Sequence, residues 1–253
     1  MDNLVYKPKS AKYILRIAAF VLDFILFVVL LTGLLFIFMK IFNFDEYYNI
    51  LDNEYKNIGY KIYDETTKSY HYISESAPNF NEVIEKYKNS EIIKEYGYKV
   101  NKLVLNIPML SIFISMFILE FMIPLFLKNG QTIGMKCFHI ALISNSGIKI
   151  KPIQLFIRFI FGKVVLISIV PYMCLFYSFF NMNGGLFGTI IIALIYIINI
   201  VLLFKGNHAG LCDAIASVYP VDYQQTIFYD NEKEMQEAMK EKQELDKKVK
   251  KVY

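Results

Sequence analysis

An all-α membrane protein, a four-helix transmembrane bundle with both termini inside, is the fold class this sequence predicts, and three observations carry it. The 253 residues are 55% hydrophobic and 16% aromatic, with a mean hydropathy of +0.37, beyond what a soluble domain of that size carries. Four apolar stretches, 14–39, 103–127, 153–180 and 186–204, can each cross roughly 30 Å of hydrocarbon at about 1.5 Å per helical residue. Basic residues gather in two places. Lys7, Lys9, Lys12 and Arg16 flank the start of the first stretch. Lys128, Lys136, Lys149, Lys151, Arg158 and Lys163 crowd the region between the second and third, with no Asp or Glu among them. By the positive-inside rule both regions face the cytoplasm.

Residues 1–40 therefore read as a cytoplasmic N-terminus and a first membrane helix. Its apolar core is longer than the roughly 7–15 residues of a signal peptide, and no small-x-small site follows, so it reads as a retained anchor. Residues 41–102 then form an exterior insertion of mixed charge with a small α+β character. "IGYKIYDETTKSYHYIS" alternates around a polar turn as a hairpin does, and "NFNEVIEKYKNSEIIKEYG" reads as a helix capped by Asn81 and stopped at Gly97. Residues 103–221 hold three further membrane helices and their cytoplasmic connection. There Gly130 and Gly134 mark the end of the second span, and "FHIALI" and "IKIK" across "SNSG" predict a short hairpin. Pro124 and Pro171 permit kinks, and Gly184 and Gly188 form one GxxxG packing cue. Residues 222–253 are a charged cytoplasmic tail, a solvated helix in preference to a coiled coil.

Several function classes are disfavoured. A net charge of +4 without interleaved basic and aromatic residues does not predict nucleic-acid binding. Cys137, Cys174 and Cys212 fall in cytoplasmic or membrane positions without a CxxC pair, so neither a disulfide nor a zinc site is expected. His71 stands without a companion ligand and reads as a surface residue. The chain has no HExxH, GxSxG, GxxxxGK[ST] or GxGxxG. Neither an enzyme nor a cofactor is expected.

The informative residues are charges at membrane depth. An Asp at the centre of a membrane helix costs about 2.5–3.5 kcal/mol on insertion scales, yet Asp23 sits within the first apolar run. Arg16 lies seven residues before it on the same helix face, about 10.5 Å away along the axis, so another helix must supply its partner. Arg158 and Lys163 are the expected cations, and Glu120 lies at similar depth. Only two of the 27 basic residues are Arg, and both sit at inner ends of spans, where a fork that keeps its charge suits buried carboxylates. Asp213, beyond the last span, either joins this group or caps a short interfacial helix. The charges can also serve only to lock helices together.

The stretches "RIAAFVLD" with Arg16 and Asp23, "GQTIGMK", the basic helix start with Arg158, and "HAGLCDAIASV" with Asp213 together resemble the RDD family of bacterial membrane proteins, named for an Arg and two Asp. The resemblance spans all four apolar stretches but not the exterior insertion or the tail. Cys212 stands where the family has a His, and His139 and Ala141 where it has a Gly and a basic residue. The resemblance implies a compact helical membrane domain, for which transport of ions or small solutes has been suggested.

Two functions follow as expectations. The first is transport of cations or protons through a helical bundle, in a homo-oligomer because four helices enclose little pathway, with Asp23 as the binding carboxylate and Arg158 as counter-charge. Arg16, Glu120, Lys163 and Asp213 complete that candidate set. The second is a membrane-embedded adaptor or assembly factor in the cell membrane that binds protein partners through 41–102 and 222–253. In both, the surrounding partner is the lipid bilayer.

Overall fold

The computed structural model describes residues 8–252 apart from 66, 128, 162, 163, 165–184 and 205–208. Most of the third apolar stretch, with Lys163, Pro171, Cys174 and Gly184, lies outside the described residues. The chain is mostly helical with two small sheets and divides into two compact units, Met1–Val28 with Ser115–Tyr253, and Val29–Ile114.

The helix α1, Tyr13–Ile41, holds only three charged residues, Arg16, Asp23 and Lys40. Together with the continuous helical run Glu91–Phe126 it is long and apolar enough to cross a membrane. None of the most apolar window of α1 and 17% of that of the second run is buried inside the protein. A soluble protein's core helix would hide such a surface, whereas lipid accommodates it. These helices make the chain a membrane-associated protein.

Within Val29–Ile114, α2 (Phe44–Asn57) leads to the strands β1 (Lys61–Asp64) and β2 (Ser69–Tyr72). They pair antiparallel from Lys61 opposite Tyr72 to Asp64 opposite Ser69, which is the expected hairpin. Then come α3 (Phe80–Asn89) and α4 (Glu91–Phe117). The expected caps differ. The cap residue of α3 is Asn79, not Asn81, and α4 runs straight through Gly97. Ser90 makes the break instead. Its backbone is extended, ending α3, and its hydroxyl accepts from the Ile93 N–H at 3.3 Å, starting α4. As a result the second apolar helix begins twelve residues before the apolar run at 103. Leu51, Ile93 and Val100, flanked by five aromatic rings and Ile58, form this unit's own core.

In the other unit, α4 passes into a π-helical turn, Ile118–Met122, and then α5, Ile123–Phe126. Pro124 has no N–H for the Glu120 carbonyl and its ring crowds that turn, which favours widening to the i→i+5 pattern. There follow α6 (Ile133–Cys137), β3 (Ile140–Ser144), α7 (Pro152–Ile157), α8 (Gly185–Phe204), α9 (Leu211–Ile215), β4 (Val218–Asp222) and the tail helix α10 (Glu232–Val252).

The short hairpin expected between the second and third apolar stretches is only partly present. Ser144 N–H donates to the Ile148 carbonyl at 3.0 Å and Ile143 bridges Lys149, but the strand partner of β3 is β4, paired antiparallel from Ile140 opposite Asp222 to Ser144 opposite Val218. The far edge of β4 is taken by the N-terminal segment, through the Ser10–Val221 bridge and the bonds Ala11 N–H to Pro220 O and Asp222 N–H to Lys9 O. The sheet is thus buried on both faces. Ile140, Leu142 and Val218 pack with Ala11, Ala19, Met135 and Leu155, while Ala141, Ile143, Tyr219 and Val221 form a second cluster.

Candidate functional site

The site lies within the larger unit, where α1 presents Arg16 and Asp23 to the segments after the second apolar helix. The "GQT" stretch prepares one half. Gly130 takes a left-handed backbone (φ 63°), open to glycine without steric cost. Gln131 donates to the Ile140 carbonyl at 2.6 Å, tying the turn to β3. Thr132 is the N-cap of α6, its hydroxyl accepting from the Met135 N–H at 3.2 Å.

Asp23 completes that cap from another helix. Its carboxylate accepts from the Thr132 hydroxyl at 2.5 Å and from the Gly134 N–H at 2.8 Å. Charge-assisted bonds to N–H groups at a helix start are favourable for a carboxylate. Gly134 is required by proximity here, since a Cβ on it would lie 2.2 Å from the Ala19 carbonyl oxygen and 2.9 Å from the Asp23 carboxylate. Backbone and hydroxyl donors thus meet the Asp23 carboxylate among the described residues, while Lys163, the other expected cation besides Arg158, lies outside them.

Arg158 is spent on other carboxylates. It opens a second π-helical turn, 158–161, at the end of α7 and is only 7% exposed. Its Nε donates to Asp213 Oδ1 at 2.7 Å, and its Nη1 stands 3.6 Å from Glu120 Oε2. Asp213 lies in the first turn of the five-residue α9 but does not cap it, since the cap residue is Gly210 and no side-chain cap bond forms; of the sequence's two alternatives the carboxylate takes the first, joining the charge group as a buried ion pair. Asn199 of α8 holds that helix by accepting from the Leu211 N–H at 2.8 Å. Ring contacts of Phe121 with Phe156 and Phe159, and of Phe117 with Phe159, at centroid distances of 5.6–5.8 Å, press the two π-helical turns together.

Arg16, Asp23, Glu120, Arg158 and Asp213 all border one partly open cavity of about 560 Å³. Its remaining wall is largely apolar, with Phe20, Phe24, Phe27, Met116 and Leu119. Buried Nη1 atoms of Arg16 and Arg158 have no hydrogen-bond acceptor among the described residues. Among the described residues two guanidinium groups thus share one partly buried cavity with three carboxylates, where charges act more strongly on one another than in bulk water. Lys163 lies outside the described residues. Among those described, no three His, Cys, Asp or Glu side chains come together as metal ligands.

Sequence reasoning missed Thr132, Gly134 and Asn199. The available signal was the Gly-Gln-Thr run at a span's end, which has the composition of a turn followed by an N-cap.

No curated protein and no solved structure matches the chain. The profile of the RDD family matches residues 11–217, which contain every residue of the cluster. With its Arg16, Asp23 and Asp213 bordering one cavity, the chain belongs to the RDD family.

Proposed function

We propose that this is a multi-pass cell-membrane protein, four helices across the bilayer and both termini cytoplasmic, that binds and passes protons or small cations through the cavity at the charge cluster. The observation that carries the reading is one cavity bordered by three carboxylates, of which Glu120 stands on a π-helical turn. Asp23 is fastened by Thr132 and Gly134, and Asp213 by Arg158 at 2.7 Å, whereas Glu120 sits 3.6 Å from Arg158 on a π-helical turn. Binding and release require a carboxylate whose contacts can exchange, and π-helical turns recur at functional positions. Glu120 is thus the exchanging group, Arg158 its counter-charge and Asp23 a fastening for the scaffold.

Purified protein in liposomes with an interior pH or sodium reporter should give a gradient-driven signal. Glu120→Gln should abolish it and the exposed Glu241→Gln should not. A wild type that passes no protons, sodium or potassium ends this reading. The topology has its own test, in which a cysteine replacing Ser74 labels with an impermeant reagent from outside and one replacing Ser146 does not.

The adaptor reading has one observation in its favour: Val29–Ile114 is compact with its own core, more structure than passage of an ion asks for. It would lead if flux is absent and a partner is retained by the 41–102 segment or the 222–253 tail.

A further inference from the structure

We propose that the cavity takes an amphipathic zwitterion, a molecule carrying an ammonium group a few bonds from an acidic group, with an apolar remainder. This names a ligand class for the site above and rests on the reading of that cavity as a binding site. Size is the first argument. About 560 Å³ lies within the range of small-molecule sites, roughly 300–1,000 Å³, and far exceeds what a monatomic cation occupies.

Charge is the second. Arg158 and Arg16 each keep a buried Nη1 that makes no hydrogen bond among the described residues, that of Arg158 standing 3.6 Å from Glu120, and a buried guanidinium N–H without a hydrogen bond calls for an oxygen. A carboxylate or phosphate supplies oxygens in the geometry that guanidinium groups match. A bare anion is disfavoured, because among the described residues of the wall Asp23, Glu120 and Asp213 outnumber the two arginines. An ammonium on the same molecule removes that conflict, and Glu120, at 3.6 Å from Arg158, is the carboxylate placed to receive it beside the guanidinium groups. Phe20, Phe24, Phe27, Met116 and Leu119 provide the surface for the apolar remainder. A cation alone leaves both Nη1 atoms without an acceptor; a zwitterion answers both demands.

The chemistry is shared by a free apolar amino acid and by the headgroup of an ethanolamine phospholipid, and two arms separate them. In the first, thermal melting of the detergent-purified full chain is followed with leucine, with isoamylamine and with 4-methylpentanoate. In the second, native mass spectrometry compares retention of phosphatidylethanolamine and phosphatidylglycerol. Leucine preferred at least tenfold over both isoamylamine and 4-methylpentanoate, or phosphatidylethanolamine preferred at least tenfold over phosphatidylglycerol, supports the proposal and identifies the source. That preference should fall at least tenfold in Arg16→Gln and be partly restored in Arg16→Lys, which also serves as the variant if the Gln form does not fold. Equal binding of isoamylamine makes this a cation site and overturns the proposal while leaving ion transport standing. Equal binding of 4-methylpentanoate or phosphatidylglycerol, no binding in either arm, or zwitterion binding indifferent to Arg16 overturns it as well. Conversely, zwitterion binding without ion flux would keep this inference and end the transport reading.

Discussion

Replacing Gly134 with Ala tests the fastening between α1 and α6 most directly. The added Cβ would sit 2.2 Å from the Ala19 carbonyl oxygen, where ordinary contact begins near 3.4 Å, so the two backbones must separate by about 1.2 Å. That movement carries the Gly134–Asp23 and Thr132–Asp23 bonds, now 2.8 and 2.5 Å, beyond useful range. Hydrogen bonds to a charged group contribute about 1.5–3 kcal/mol each, and overpacking alone costs about 1–3 kcal/mol. Since the retreat that relieves the clash is the one that breaks the bonds, these terms overlap, and the expected loss is about 3–5 kcal/mol. Thermal melting in one detergent, read by far-ultraviolet circular dichroism, measures it. Asp23→Asn should melt low for the same reason, and the double variant should lose much less than the sum of the single losses, since both break one fastening. A Gly134→Ala protein that melts with the wild type, or additive losses in the double variant, would refute the close contact and the role given to Asp23.

Asp213→Asn should cost about 3–5 kcal/mol by leaving Arg158 buried without its closest carboxylate; replacing Arg158 and Asp213 together by apolar residues should recover much of the melting temperature, and failure to do so would mean the pair holds more than itself. Asp52, hydrogen-bonded by Lys56 and Lys61, holds its carboxyl below the ordinary 3.8. Its stabilising contribution is therefore present above about pH 3.8 and lost as pH falls through the lowered value, so hydrogen exchange in α2 should quicken on acidification relative to Asp52→Asn, and identical acid profiles would contradict the assignment. Ser90→Ala removes the hydroxyl that starts α4 and should lower stability by about 0.5–2 kcal/mol, read by the same melting assay.

Elements specified by local pattern were legible in the sequence. The apolar run of α1 needs nothing but its own composition, and the β1–β2 hairpin needs only alternation around a polar turn. What escaped depends on partners distant in the chain. The strand β4, "VYPVD", is short, contains a proline and pairs with a strand nearly eighty residues before it, so no window of sequence announces it. Charges within or beside the apolar runs were visible as candidates, but their pairing was not. An opposite charge can be read from composition as a partner for Asp23, whereas the helix start and hydroxyl that also meet it carry no sign in the sequence. Gly97 and Ser90 show the same limit. A glycine is a permissive residue that tertiary context can keep inside a helix, while a hydroxyl that reaches back to a backbone N–H decides the boundary.

The pairing of residues 9–11 with β4 also sets an order on biosynthesis. The N-terminal segment emerges first, yet its strand partner is among the last ordered pieces made, after α8. Until residues 213–222 appear, β3 lacks its partner, Arg158 lacks Asp213, and Lys9 to Ala11 have no strand to join. A chain stalled or clipped before that point would carry an open strand edge on the sheet and a guanidinium held without its nearest carboxylate, both features that invite aggregation or proteolysis. Closing β4 between β3 and the N-terminal segment therefore joins the two ends of the matched region and can happen only after α8 has been made.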